Sequence, residues 1–415
     1  MIKRRLNVQI QMAFLCLNTG ASNTTCTNVV IVWFRGIRMI FNKWCRRFSV
    51  IFTGVASMFS MSAARAEYEL NMTQGVTPIS QEIYGLHMLV FWICVAIGVV
   101  VFGAMAWSIL HHRKSKGAVA ANFHESTTVE IIWTVVPLLI LIGIAIPATG
   151  TLLDLEDAKT DADITLQVTG IQWKWKYTYV DEDVSFISSL AQSSRDVISD
   201  PTGYENYLLE VDEPVVLPIN KKIRFLFHST DVIHAWWVPE LAVKQDSVPG
   251  FINDSWATIE KPGIYRGQCA ELCGKDHGFM PIVVHAVTES EYQQWLVSKK
   301  EEAAAAAASA EQEWSMKDLL ARGETVYQAN CSACHGPTGA GIPGAFPAMT
   351  GSAIVLGDPA GHIDIVVNGK AGTAMAAFKG QLNDVDLAAV VTYERNALGN
   401  SVGDMVQPSA IKNAR

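Results

Sequence analysis

Two long apolar segments dominate the hydrophobic pattern in the first half of the chain. Leu89–Leu110 and Ile131–Leu153 contain no charged residue, and each is long enough to cross a bilayer as a helix. Two prolines interrupt the second segment, which neighbouring membrane helices tolerate. The connecting loop carries three positive charges within Arg113–Lys116 and should face the cytoplasm. Residues 67–155 are therefore predicted to form a two-helix transmembrane hairpin, with the following residues outside the cytoplasm.

Alternation of apolar and polar residues indicates β-structure over residues 156–298. Ile164, Leu166 and Val168 alternate with polar residues, and proline-glycine pairs mark turns further along. Short alternating strands separated by turns predict a β-sandwich or a barrel.

Residues 299–315 differ in composition from the residues on either side. Lys-Lys-Glu-Glu, a run of alanines and Glu-Gln-Glu cannot build a core, so we expect a partly helical linker. Residues 316–402 predict a second compact unit, with a helix at its start, a Gly-rich middle and an amphipathic stretch at its end. Residues 403–415 are expected to be a tail.

Charge is distributed unevenly along the chain. The net charge is -8, yet residues 1–66 contain nine Lys or Arg and no Asp or Glu. Met39–Ala66 combines a positive start, an apolar run and an Ala-Arg-Ala cleavage site, which is typical of a signal peptide. We expect a mature chain that starts at Glu67, with an uncleaved membrane anchor as the alternative. Residues 1–38 have no clear role, and one interpretation is a start codon assigned too early, with Met39 as the true start. The acidic remainder argues against nucleic acid as a partner.

A dense group of sulfur and imidazole side chains lies in Cys269–Met280. Soft sulfur together with imidazole suits copper, and two cysteines four residues apart can bridge two copper ions. Each copper then needs one imidazole and one weak ligand. The candidate ligands are two thiolates, two imidazoles, a thioether and a backbone carbonyl, namely those of Cys269, Cys273, His234, His277, Met280 and Glu271. The alternative is a structural zinc site, for which methionine is a poor ligand.

With these motifs, residues 78–297 resemble cytochrome c oxidase subunit II, a family with a membrane hairpin and a cupredoxin-like domain that carries the binuclear CuA centre. The resemblance implies that all six candidate ligands bind CuA. It argues against a quinol-oxidising relative, because those proteins share the fold but lack the copper ligands.

The resemblance also implies roles for three single residues. Trp173 matches the tryptophan through which electrons reach the copper centre, with ordinary strand packing as the alternative. Glu130 matches a glutamate at the mouth of a proton channel into subunit I, with a carboxylate that suits the helix dipole as the alternative. The side chain of Glu271 resembles one that helps to bind magnesium at the subunit I interface.

One strand departs from the family pattern. The family's aromatic strand often carries acidic residues that dock a soluble, basic cytochrome c. Here Lys174, Lys176 and Thr178 interrupt the strand, and acidic residues resume only at Asp181. This difference argues against docking of a basic cytochrome c at that surface.

Cys331-Ser-Ala-Cys334-His335 is a signature of covalent haem attachment. The two thiols bind the haem vinyl groups and the histidine binds the iron. A thioredoxin-like redox pair is the alternative, but it does not need the adjacent histidine. The second axial ligand should be a downstream methionine. We favour Met375 over Met349, because residues 318–400 resemble a class I cytochrome c, in which this methionine lies in a loop before the C-terminal helix.

The whole chain therefore resembles subunit II of a caa-type haem–copper oxidase. The implied fold is multidomain: a transmembrane hairpin, an all-β cupredoxin-like sandwich and an all-α class I cytochrome c domain. The implied function is to accept electrons through haem c and to pass them through CuA to the haem–copper centre of subunit I. There, oxygen reduction would be coupled to proton translocation, so the chain would be active only in complex with subunit I.

The resemblance also implies partners and a location. Besides subunit I, we expect subunit III and an external donor such as a cytochrome c or a quinol-oxidising complex. The bacterial inner membrane is the expected location, with the copper and haem domains on the periplasmic side. The alternatives are a stand-alone electron carrier, a nitrous oxide or nitric oxide reductase component, and a copper-delivery protein. The hairpin with Glu130 argues against the first, and covalent haem argues against the last.

Overall fold

The computed structural model describes residues 71–122, 124–158, 160 and 162–415. The expected signal peptide lies outside the described residues. Met72–Arg415 forms one compact unit, in which a helical hairpin is followed by a β-sandwich and then by a helical domain.

Two long helices, α1 (Pro78–His111) and α2 (Thr127–Glu156), form the hairpin. Both are long enough and apolar enough to cross a membrane, and most of their apolar side chains are exposed, as expected for a surface that faces lipid. Thr77 and Ser80 form a capping box at the start of α1, in which each side chain accepts a hydrogen bond from the backbone N–H of the other. The two helices contain the two apolar segments of the sequence.

Both outer ends of the hairpin are hydrogen-bonded to the β-sandwich. The Thr77 hydroxyl donates to the carbonyl of Leu241 at 3.1 Å, and the Val76 N–H donates to the carbonyl of Glu240 at 2.9 Å. At the other end, the indole N–H of Trp256 donates to a carbonyl at the end of α2 at 3.0 Å. The sandwich therefore lies at the open end of the hairpin, opposite the basic connecting loop.

Ten strands form the sandwich. They are β1 (Ile164–Ile171), β2 (Lys174–Tyr179), β3 (Val184–Ser188), β4 (Val215–Pro218), β5 (Lys222–Ser229), β6 (His234–Val238), β7 (Val243–Ser247), β8 (Asn253–Thr258), β9 (Gly263–Cys269) and β10 (Pro281–Val287). One sheet has the order β3-β2-β1-β5-β8 and the other β4-β10-β9-β6-β7. The pairs β1–β5 and β4–β10 are parallel, and the others are antiparallel. The domain is a cupredoxin-like sandwich. A short helix, α3 (Gln192–Asp196), follows β3.

Strand alternation creates the core between the two sheets. In β5, Ile223, Phe225 and Phe227 are fully buried and alternate with half-buried residues. The ring of Phe225 packs 5.3 Å from that of Trp236 on the opposite sheet. The Trp236 indole donates to the hydroxyl of Tyr177 at 3.2 Å, which satisfies a polar group that burial would otherwise penalise.

Helix α4 (Glu289–Ala310) connects the sandwich to the helical domain. Tyr292 and Leu296 lie one turn apart on one face and are buried in the sandwich core. The helix continues past residue 298, the boundary expected from composition, because alanine has the highest helix propensity. The linker between helices is therefore short, residues 311–315.

The helical domain contains α5 (Met316–Asn330), α6 (Ser332–His335), α7 (Ala353–Leu356), α8 (Pro359–Asn368), α9 (Asp384–Asn396) and α10 (Pro408–Ala414). Helices α5 and α9 pack closely at Gly323, where a Cβ atom would lie 2.2 Å from the carbonyl oxygen of Ala389. The ring of Tyr393 packs 5.7 Å from that of Tyr327 across the same contact. The segment expected to be a tail includes α10, whose Ile411 is buried against the domain.

Candidate functional site

The loop between β9 and β10 carries most of the candidate copper ligands. Cys269 ends β9, and Cys273 lies in the loop. His277 begins a short 3-10 helix that Met280 terminates. The Cys269 N–H donates to the Met280 carbonyl at 3.2 Å and closes the base of the loop. His234 is contributed by the start of the neighbouring strand β6. The structure therefore brings together residues that lie up to 46 positions apart (280 − 234) in the sequence.

The two cysteine sulfurs form the centre of this site, with their Sγ atoms 3.9 Å apart. The sulfur of Cys269 lies 3.9 Å from Nδ1 of His234 and 3.3 Å from the carbonyl oxygen of Glu271. The sulfur of Cys273 lies 3.5 Å from Nδ1 of His277 and 4.0 Å from the sulfur of Met280. Each thiol thus has one imidazole and one weak donor beside it, which is the ligand set that two bridged ions need.

Burial and a carboxylate orient the His234 ring. Its side chain is fully buried, and Nε2 donates to Oδ1 of Asp231 at 2.9 Å. This hydrogen bond fixes the tautomer that leaves Nδ1 facing the sulfurs. Gly170 lies directly against the ring, where a Cβ atom would come within 2.6 Å of Cδ2 of His234. A glycine on β1 is therefore needed for the imidazole to occupy this position.

The pKa values of the two cysteine thiols are shifted in opposite directions, and the pKa of His234 is raised. Hydrogen bonding with Cys273 lowers the pKa of the Cys269 thiol well below its ordinary value, and hydrogen bonding with Cys269 raises the pKa of Cys273. For His234, burial lowers the pKa, but the contacts with Asp231 and Cys269 outweigh it and the net pKa is raised. Binding of metal to the sulfur of Cys273 would therefore release a proton.

The donor set fits copper. His234, Cys269 and Cys273 offer ligand atoms that all lie within 4.8 Å of one another, and all three residues are buried. Thiolate, thioether and imidazole donors together favour copper over zinc, and the nearby Met280 sulfur is a poor zinc ligand.

The haem-attachment signature lies at the junction of α5 and α6. Cys331 caps the end of α5, and α6 carries Cys334 and His335. Nδ1 of His335 lies 2.9 Å from the carbonyl oxygen of Pro347. This contact suits an imidazole that donates from Nδ1 and leaves Nε2 free to bind iron.

Three regions of the chain match known families. Residues 65–150 match the transmembrane domain of cytochrome c oxidase subunit II, and residues 164–287 match its periplasmic domain. Residues 318–393 match the family described as cytochrome c oxidase, cbb3-type, subunit III.

Similar proteins agree with these matches. The probable cytochrome c oxidase subunit 2 of Rickettsia bellii (strain RML369-C) is 36% identical over 243 residues, which cover 59% of this chain and 88% of that protein. Cytochrome c oxidase subunit 2 of Arabidopsis thaliana is 37% identical over 234 residues, which cover 56% and 90%. The chain belongs to the cytochrome c oxidase subunit 2 family. It carries a C-terminal cytochrome c domain in addition, and it is a membrane protein with a periplasmic domain.

A solved structure also resembles part of the chain. The crystal structure of the periplasmic domain of subunit II of cytochrome oxidase from Bradyrhizobium japonicum is 40% identical, covers 34% of this chain and 96% of its own, and has a TM-score of 0.31.

Trp173 is predicted to pass electrons in this subunit 2 protein. It contacts the loop between β9 and β10, residues 270–280, which we call the copper loop. Its indole N–H donates to the Cys273 carbonyl at 3.2 Å, and the Gln172 amide donates to the same oxygen at 2.8 Å. The Gln172 N–H donates to Oδ2 of Asp231 at 2.7 Å. The β1–β2 turn therefore holds both the copper loop and the carboxylate that orients His234.

The other side chains with predicted roles in the subunit 2 chain lie outside the cluster of cysteine and histidine side chains. Glu130 lies in the first turn of α2. The side chain of Glu271 is exposed. Met349 is buried in the core of the cytochrome c domain, and Met375, in the loop between α8 and α9, is partly buried against it. The choice of Met375 as iron ligand stays a prediction, as do the roles of Glu130 and Glu271.

Sequence reasoning missed three residues of the site. Asp231 lies three positions before His234, a spacing that could have suggested a partner for the imidazole. Gln172 gave no signal. Lys275 lies within the copper loop, and its ammonium donates to the carbonyl of Ala333, inside the haem-attachment signature, at 3.3 Å.

Proposed function

We propose that this chain is the electron-accepting subunit of a respiratory, caa-type cytochrome c oxidase and relays electrons from haem c through a binuclear copper centre to subunit I. The observation that carries this proposal is the contact between Lys275 and Ala333 at 3.3 Å. Lys275 lies between Cys273 and His277, and Ala333 lies between Cys331 and Cys334. The copper loop and the haem-attachment segment are therefore in direct contact.

When bound, the two groups supply one-electron transfer. The residues that would hold the coppers are Cys269, Cys273, His234, His277, Met280 and the carbonyl of Glu271. The residues that would hold haem c are Cys331 and Cys334 through thioether bonds, and His335 and Met375 as axial ligands. Burial of both thiols and of His234 excludes water from the copper site, and Asp231 keeps Nδ1 of His234 directed at the sulfurs.

We assign Trp173 to the route by which electrons reach the copper site. The hydrogen bond from its indole to the Cys273 carbonyl supports this assignment, because it joins an aromatic ring to the backbone of a bridging ligand. The ring is also partly exposed, so it lies between the surface and the cluster. The same contact restrains the loop that carries Cys273.

The remaining assignments concern subunit I and the membrane. We propose that subunit I carries out oxygen reduction and proton translocation, with Glu130 at the mouth of its proton channel and the exposed Glu271 carboxylate available for magnesium. Subunit III and an external donor, either a cytochrome c or a quinol-oxidising complex, complete the system. We propose that both redox domains lie on the periplasmic side of the bacterial inner membrane, a location that the hairpin and the match to a periplasmic domain support.

Purification of the intact complex tests this function. Metal, haem and optical analysis should assign two coppers and one covalent haem c to this chain, and reduced haem c should be oxidised by the copper centre within one turnover. A single copper, bound zinc or haem c that stays reduced while oxygen is consumed would contradict the proposal.

A further inference from the structure

Three lysines of the sandwich domain donate hydrogen bonds to the cytochrome c domain. Lys174 and Lys176 lie on β2, directly after Trp173, and Lys275 lies in the copper loop. Their acceptors are Oδ1 of Asn330 at 2.7 Å, the carbonyl of Gly380 at 3.1 Å and the carbonyl of Ala333 at 3.3 Å. The acceptors belong to three separate segments: the end of α5, the loop before α9 and helix α6.

Lys174 is covered at this contact. Its side chain is 7% exposed, and its ammonium lies 5.7 Å from the centre of the Phe378 ring. Burial lowers the pKa of Lys174 to about 8. Asn330 ends α5, and the C-terminus of a helix carries partial negative charge, which favours a cation there. Asn330 and Phe378 both belong to the cytochrome c domain, so that domain covers the lysine.

Uncharged oxygens accept all three hydrogen bonds. Among the described residues, no ion pair joins β2 or the copper loop to the cytochrome c domain. A surface of this kind suits a partner with amide and carbonyl oxygens at the contact. It disfavours a soluble donor with a basic face, because like charges would meet across the interface.

We propose that Lys174, Lys176 and Lys275 form a lysine seat, an interaction surface whose occupant is the chain's own cytochrome c domain. The inference rests on the proposed function, since it concerns the contact across which electrons would pass. The seat lies beside Trp173 and the copper loop, so the docked domain covers this surface. An external donor therefore delivers electrons to haem c from another side and not directly to the copper centre.

Amine labelling of the intact complex tests the seat without measuring electron transfer. Lys174 should react with an acylating reagent at least about tenfold more slowly than Lys244, which is exposed on β7. Asn330→Lys puts a second ammonium against Lys174, at a helix end that tolerates a cation, and should make Lys174 reactive. Equal labelling of Lys174 and Lys244 in the unaltered complex, or continued protection of Lys174 in Asn330→Lys, overturns the proposal.

A charge swap tests the same contact through the rate of haem c oxidation by the copper centre. Loss of a hydrogen bond that leaves a buried group unpaired weakens a docking equilibrium by about 5- to 150-fold. Lys174→Glu and Asn330→Lys should each slow the transfer by at least about tenfold. The double variant should recover most of the rate, because the opposite charges face each other again. Lys244→Glu is the control and should leave the rate unchanged.

The outcomes separate the seat from the proposed function. If the unaltered complex shows no transfer from haem c to the copper centre, the proposed function fails. If transfer is fast and both single variants match Lys244→Glu with full haem and copper content, the seat fails and the function stands. If the single variants are slow and the double variant is as slow, the contact is not a direct pair and the seat is overturned.

Discussion

Asp231 accepts a 2.9 Å hydrogen bond from Nε2 of His234, the copper-ligand candidate most distant in sequence from the sulfur cluster. The other oxygen of the carboxylate accepts the Gln172 N–H at 2.7 Å. One side chain thus joins a ligand on β6 to the turn that carries Trp173. Its role is to position the imidazole.

Asp231→Asn should weaken copper binding by about 10- to 100-fold, as loss of the partner of a ligating histidine does elsewhere. Asparagine keeps the size but has one acceptor oxygen where the carboxylate uses two. Competition titration of the copper-free protein with a copper chelator would measure the effect. Asp254→Asn is a matched control, because Asp254 pairs with Arg224 on another strand pair. Equal copper affinity of the two variants would contradict the positioning role.

Gly170→Ala should displace the His234 ring, since the new Cβ atom would lie 2.6 Å from Cδ2. Overpacking of this kind costs about 1–3 kcal/mol, and here it acts on a ligand. We expect a changed optical spectrum of the copper centre together with a lower thermal stability of the sandwich. Gly278→Ala, inside the copper loop but with open space around its Cβ position, should alter neither property. An unchanged spectrum in Gly170→Ala would refute the packing argument.

The short copper loop could be predicted from the sequence, whereas contacts between distant segments could not. Cys269, Cys273, His277 and Met280 lie within twelve residues, so their chemistry could be read locally. For the second imidazole, the sequence required only a histidine on a distant strand and offered His234 as the best candidate, because strand pairing and not local spacing brings it to the site. The composition of residues 299–315 predicted a partly helical linker, and the helical part proves to be the continuation of α4 to Ala310, whereas the composition alone did not indicate that this helix begins within the preceding domain.

The lysines of β2 illustrate the same limit. From the sequence, Lys174 and Lys176 indicated only that the usual acidic surface is interrupted. Their acceptors, Asn330 and Gly380, lie 156 and 204 positions away. Such pairing depends on how two domains pack, and no periodicity or spacing in one segment encodes it.

Docking of the cytochrome c domain should depend on pH through Lys174. Burial lowers the pKa of Lys174 from its ordinary value of 10.5 to about 8, with Cys331, Asp212 and Asp231 favouring the charged form and Arg195 opposing it. An undocked Lys174 would be exposed, and its pKa would lie near the ordinary value of 10.5. Between about pH 8 and pH 10.5, the docked state therefore binds fewer protons than the undocked state. A rise in pH therefore strengthens docking in that window.

The measurement is the rate of haem c oxidation by the copper centre from pH 7 upward. The rate should rise as the pH passes about 8, and Lys174→Met, which keeps the stem but removes the amine, should flatten this rise. Lys244→Met should keep it. A rise that persists unchanged in Lys174→Met would assign the pH dependence to another group.

Cleavage of the linker should slow transfer from haem c to the copper centre at low protein concentration. The linker is only residues 311–315, and Trp314 within it both donates to and accepts from the side chain of Gln407, at 2.9 Å in each case. A short tether holds its domain at an effective concentration of about millimolar, and the lysine contacts alone are too few to replace it. A protease site inserted after Gln312 leaves both domains intact.

The rate before and after cleavage distinguishes tethering from independent docking. After dilution to micromolar protein, the cleaved complex should transfer electrons much more slowly, and the rate should recover in proportion to added cytochrome c domain. Uncleaved protein with the same insertion serves as the control for the altered linker. A rate that is unchanged by cleavage and dilution would mean that the interface holds the domain unaided, because loss of the tether removes only the effective concentration and no contact with the sandwich.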